Sequence, residues 1–109
     1  MAYDPGLAQR LEELLEGKID FEQRKMFGGI GWLLNGNMCV GVYQDWLIAR
    51  VGQEAAVKLF LEPHAKPMDI TGKPMKGWAM ISSEGLVEDA DLTHYVELAI
   101  QFVAILPVK

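Results

Sequence analysis

Hydrophobic and polar positions change their period four times along the chain, and each change marks a new kind of element. Leu7, Leu11, Leu14 and Leu15 recur at helical spacing, with Gln9, Arg10, Glu12, Glu13 and Glu16 on the other side, so a first helix with one buried stripe is predicted. Asp4 followed by Pro5 suits its start, because the carboxylate can accept an orphan backbone N–H and proline fits where no N–H is needed. Gly17 suits its end. From Phe21 to Val51 β-favouring residues come in short runs separated by Asn35-Gly36-Asn37 and Gln44-Asp45, which predicts a three-stranded antiparallel meander with strands at 24–34, 38–43 and 46–51. Met26, Ile30, Trp32 and Leu34 would share one side of a regular first strand, although Gly28, Gly29 and Gly31 point to a bulge or bend within it.

The second half returns to helical spacing. Residues 53–61, with Ala55, Ala56, Val57, Leu59 and Phe60 and a stop at Pro63, predict a short second helix. Residues 63–76 are rich in Pro, Gly and Lys and read as a loop with a short strand, and residues 77–82 resume strand character through Trp78, Met80 and Ile81. Asp89 or Asp91 can cap a last helix in which Leu92, Val96, Ala99, Val103 and Leu106 form the buried stripe, closed by Pro107. The order α-β-β-β-α-β(-β)-α predicts an α+β fold of two layers, a mainly antiparallel sheet with helices on one face.

A chain of 109 residues, half of them hydrophobic and 23% charged, supports a single domain over residues 1–109 with a real core and does not resemble a disordered segment. The net charge of −5 works against non-specific nucleic-acid binding, which needs a surplus of Lys and Arg on at least one face. A single cysteine, Cys39, excludes an intramolecular disulfide and fits a reducing compartment, and residues 1–10 lack the pattern of a secretory signal, so a cytoplasmic location is expected. The apolar runs are too broken to cross a membrane.

Catalytic chemistry finds little support in the residue pattern. His64 and His94 lie in no recognisable motif and read as surface or satisfied structural histidines, and with Cys39 they are too scattered for a metal set. Cys39 lies among Met38, Val40 and Val42 and reads as an inert core thiol. Gly28-Gly29-Ile30-Gly31 precedes more strand instead of opening a helix, which removes the phosphate-loop reading in favour of a bend or a close backbone approach. No enzyme, cofactor or metal is expected. The candidate partner-binding residues are Arg24, Lys25, Phe27, Lys76 and Trp78, with Lys73 nearby, because mixed cations and aromatics suit an interface hot spot. The competing reading places the aromatics in the core.

The blocks Arg24-Lys25-Met26-Phe27-Gly28-Gly29, Asn35-Gly36-Asn37-Met38, residues 46–51 and Met75-Lys76-Gly77-Trp78, with a terminal helix ending in Leu106-Pro107, resemble the TfoX N-terminal-domain family of bacterial competence regulators. The resemblance spans about residue 21 to the C-terminus. It implies a two-layer α+β domain similar to the secretion-chaperone-like fold, associated with protein binding and often with dimerisation. It also implies a regulatory role, exercised by full-length relatives apparently with a DNA-bound activator. Those regulators carry a second, C-terminal domain that this sequence lacks, so a stand-alone N-terminal domain is expected and transcriptional activation is not carried over. The expected partner is another protein or a second copy of the chain, a nucleic-acid-associated transcriptional regulator being the alternative and an uncharacterised enzyme the lesser one.

Overall fold

In the computed structural model, which describes residues 3–16, 21–26, 29–68, 72 and 75–108, the first helix forms where the leucine stripe predicts it. Helix α1 spans Pro5–Leu15, and the Asp4 carboxylate accepts a hydrogen bond from the Gly6 N–H at 2.9 Å. Leu7, Leu11 and Leu15 are buried, and Leu11 is fully enclosed. Gly17 lies outside the described residues.

Strands follow at β1 (Phe21–Met26), β2 (Gly29–Leu34), β3 (Asn37–Tyr43) and β4 (Trp46–Arg50), then helix α2 (Gln53–Leu59), strands β5 (Ala65–Met68) and β6 (Met75–Ile81), a 3-10 turn (Ser83–Leu86) and helix α3 (Asp89–Val103). The single strand expected over 24–34 is two strands, because the chain reverses between Met26 and Gly29 and pairs back on itself. The meander therefore has four strands. Asn35 and Gly36 take φ of 54° and 84°, the positive pair that a tight β2–β3 hairpin demands. Asp89 and Asp91 do not cap α3: its N-cap residue is Glu88, whose side chain makes no capping bond, and the two aspartates lie in the first turn, where they complement the helix dipole. The Asp89 carboxylate accepts instead from the Arg10 guanidinium at 3.0 Å and ties α3 to α1.

The described strands form one antiparallel sheet in the order β1-β2-β3-β4-β6-β5. Alternation of side chains gives each strand two faces. Ile30, Trp32 and Leu34 of β2 share one face with Val40 and Val42, Leu47 and Ala49, and Ala79 and Ile81, and this face packs on Leu7 and Leu11, on Ala56 and Leu59, and on Leu92, Val96, Ala99 and Val103. All three helices thus cover the same side of the sheet, in a two-layer α+β architecture. Asn37, the buried polar residue of the described core, donates from its side-chain amide to the Pro107 carbonyl at 2.9 Å and fastens the β2–β3 hairpin to the segment after α3.

Close approach of neighbouring atoms explains Gly29 of β2 and Gly41 of β3. A Cβ at Gly29 would run into the Val42 carbonyl, and one at Gly41 would lie 2.8 Å from the Ile30 carbonyl oxygen and 2.9 Å from the Met38 methyl. Because the obstacle at Gly29 is backbone, Gly29→Ala is expected to cost about 2 kcal/mol, read as a lowered urea midpoint with an unchanged denaturant slope.

Candidate interaction surface

Among the described residues, no helix lies over the other side of the strands. Register carries one row across the whole sheet on this side: Arg24, Gly31, Gly41, Ile48, Met80 and Lys66 stand opposite one another in turn. Ile48, Met68 and Met80 are buried, and around them pack the half-buried Met38, Tyr43, Trp46, Met75 and Trp78. The two glycines have no side chain to contribute, and the Met38 methyl lies close to Gly41. The register shift between Trp32 and Leu33 accommodates an extra residue in β3, so that Met38 pairs with Leu33 and turns to the helix-free face while Val40 and Val42 remain in the core.

Cations border this apolar layer. The Lys66 ammonium lies 4.7 Å from the Trp46 ring centre and the Arg50 guanidinium 5.4 Å from that of Trp78, both within the range of cation–π attraction. Arg50, at the end of β4, is also 6.0 Å from Phe102 of α3 and so bridges the two layers. At the far edge Arg24 donates to the Glu22 carboxylate at 3.0 Å, an exposed pair. Trp, Tyr, Met and Arg are the residue types enriched where proteins bind proteins.

The sequence-predicted residues are divided by this geometry. Arg24 and Trp78 belong to the helix-free face, but they sit on β1 and β6, four strand spacings apart, which is about 19 Å. Lys25 pairs with Ile30 and so belongs to the helix-bearing side, at its exposed margin. Lys76 is exposed and lines a cavity of about 380 Å³ beside α2 with Val57, Phe60 and Pro67. Phe27 and Lys73 lie outside the described residues. The named residues therefore do not form one cluster; Trp78 joins Trp46, Tyr43, Met38, Met75 and Lys66, which sequence reasoning had not selected. Tyr43 and Trp46 were detectable, since two aromatics flank the Gln44-Asp45 turn while their neighbours Val42 and Leu47 alternate into the core.

A groove of about 750 Å³ runs between α2 and α3 over Val51, Leu59, Leu98 and Phe102, with the exposed Glu54, Lys58, Glu62 and His94 at its rim. Among the described residues neither histidine hydrogen-bonds to a hydroxyl or thiol, and no three His, Cys, Asp or Glu residues gather as a metal set. Nor is any helix among them long and apolar enough to cross a membrane. Cys39 is fully enclosed, and burial pushes its thiol from 9.0 up to about 12 against the weaker opposing pull of Arg50. Burial, together with the Glu62 carboxylate that its hydroxyl meets at 3.2 Å, raises Tyr95 from 10.0 to about 12.

A family model described as the TfoX N-terminal domain matches residues 13–103. No curated protein and no solved structure matches.

Both raised groups are held neutral by the fold, so their contribution to stability is complete below their unfolded values and is lost as pH climbs through the folded ones. Stability is expected to fall progressively between about pH 9 and 12 in thermal melts. At pH 8 a thiol reagent should leave Cys39 untouched until denaturant is added.

Proposed function

This chain belongs to the TfoX N-terminal domain family, and we propose that it acts as a regulatory protein-interaction module, without catalysis, resembling the N-terminal domain of bacterial competence regulators. The observation that carries this reading is the helix-free face, where Met38, Tyr43, Trp46, Met75 and Trp78 remain only partly buried around a buried Ile48–Met80–Met68 centre. A rigid sheet floor with partly desolvated aromatic and methionine side chains is the composition of a hot spot, and thioether chains adapt to the shape they meet.

Charge selects the partner. Acidic residues crowd the helix layer, with Glu12, Glu13, Glu54, Asp91 and Glu97 exposed there, whereas the helix-free face carries Lys66, the mutually neutralising Glu22–Arg24 pair and, at its margin, Arg50. The complementary occupant is a protein segment that alternates apolar with acidic side chains. Nucleic acid fits less well, because phosphate binding draws on many cations aligned along one path, and here Lys25 and Lys76 are turned away from that face while the whole chain is negative.

The test places a photo-crosslinking phenylalanine analogue at Tyr43 of the full chain in its native cell, with the same analogue at Glu12 as control. The expected result is a discrete protein adduct from position 43 alone, weakened at least severalfold by Lys66→Glu, with a crosslinked peptide of acidic and apolar composition. A nuclease-sensitive adduct, or equal capture from both positions, would contradict the reading.

A further inference from the structure

The two edges of the sheet are built differently. At one edge β5 carries Pro67, which has no N–H to offer, and the exposed Lys66, both devices that discourage strand addition. At the other, β1 reads Phe-Glu-Gln-Arg-Lys-Met, six residues without proline, and no described strand pairs with its outer side.

Its register fixes which backbone groups face outward. Met26 pairs with Gly29 across only two residues. A ladder pair there must be one whose own N–H and C=O groups bond each other, because the alternative would require a bond between residues 27 and 28, which are neighbours in the chain. Hydrogen-bonded and non-hydrogen-bonded pairs alternate along an antiparallel ladder. Met26, Arg24 and Glu22 therefore spend their backbone groups on β2, and Phe21, Gln23 and Lys25 direct theirs outward.

We propose that β1 pairs with β1 of a second copy of this chain, antiparallel about a two-fold axis at Gln23, to give one continuous twelve-stranded sheet. In this register Phe21, Gln23 and Lys25 meet the partner's Lys25, the partner's Gln23 and the partner's Phe21 as hydrogen-bonded pairs. Glu22 falls opposite the partner's Arg24, and Arg24 opposite the partner's Glu22. These are non-hydrogen-bonded pairs, in which facing side chains come closest. The two neighbouring registers with the same face alignment, centred on Glu22 or on Arg24, would set like charges against each other, so electrostatics selects this one. Glu22 and Arg24 already reach each other within one chain, 3.0 Å apart and both exposed, so neither side chain must be drawn from a buried partner.

A second complementarity lies on the helix-bearing side. Phe21 and Gln23 line a groove of about 460 Å³ beneath α1 whose wall is Glu12, Glu13 and Glu16. The partner's Lys25, placed opposite Phe21 and on the same side of the sheet, points its ammonium at that acidic wall. The two-fold axis stands perpendicular to the sheet, so both helix-free faces look the same way. The dimer would offer two recognition surfaces side by side, and a partner with two suitable segments would gain avidity.

Sedimentation velocity on the full chain, over a concentration series reaching about 1 mM, tests this independently of any partner protein. The native chain is expected to dimerise. Glu22→Lys and Arg24→Glu should each weaken dimerisation about tenfold or more, and the doubly exchanged chain should recover it, since the exchange restores opposite charges across the axis. Gln23→Pro, which removes an outward N–H that β2 does not use, should leave a folded monomer by circular dichroism. A chain monomeric throughout, a dimer indifferent to all of these changes, or a double exchange no better than the single ones would overturn the proposal. Loss of the crosslink at Tyr43 alone would instead count against the recognition face and leave the β1 pairing standing.

Discussion

Every strand of an antiparallel sheet must put its side chains on two faces, and the three described helices all cover the same one. The covered side is closed by Leu11, Leu47, Ile81, Leu92 and Val103, each at most 1% exposed. That packing leaves the opposite side to close itself. Ile48, Met68 and Met80 are buried there by their own neighbours, and the ring of Met38, Tyr43, Trp46, Met75 and Trp78 remains partly in water. The surface that distinguishes the molecule is thus a consequence of how its layers are distributed, and the function proposed for it follows from the same constraint.

Much of this was legible in the chain. The leucine stripe of α1 with Asp4 and Pro5, the Asn35-Gly36 turn, and Leu92, Val96, Ala99 and Val103 of α3 carry local signals strong enough to stand without tertiary information. Membership of the TfoX N-terminal domain family was legible too, from short blocks in a fixed order. The sequence reads one long strand with a bulge or bend at its glycines where the structure has β1 and β2, because the residues on either side are equally strand-like and only pairing distinguishes one long strand from a hairpin.

The candidate surface was harder, for a physical reason. Trp78 and Arg24 were selected by residue type, yet contact between strands depends on sheet order, and the insertion of β6 between β4 and β5 cannot be read from spacing. The shifted register at Trp32/Leu33 turns Met38 outward against the simple alternation, which hid it. Lys66 falls in a stretch whose Pro, Gly and Lys content reads as a loop with a short strand, although it ends the row that begins at Arg24. Both tryptophans of the face pack against its buried centre, and residue type alone does not separate such packing from the recognition proposed for them.

The central claim is that recognition belongs to the side of the sheet the helices leave open. Methyl-methionine NMR measures this most directly, because Met38, Met68, Met75 and Met80 all report from that side. On titration with the bound protein segment, the account predicts that the methyl signals of Met38 and Met75 shift and broaden while amides around the α2–α3 groove, at His94, Leu98 and Phe102, stay in place. Perturbations confined to that groove, with the methionine methyls unmoved, would contradict it.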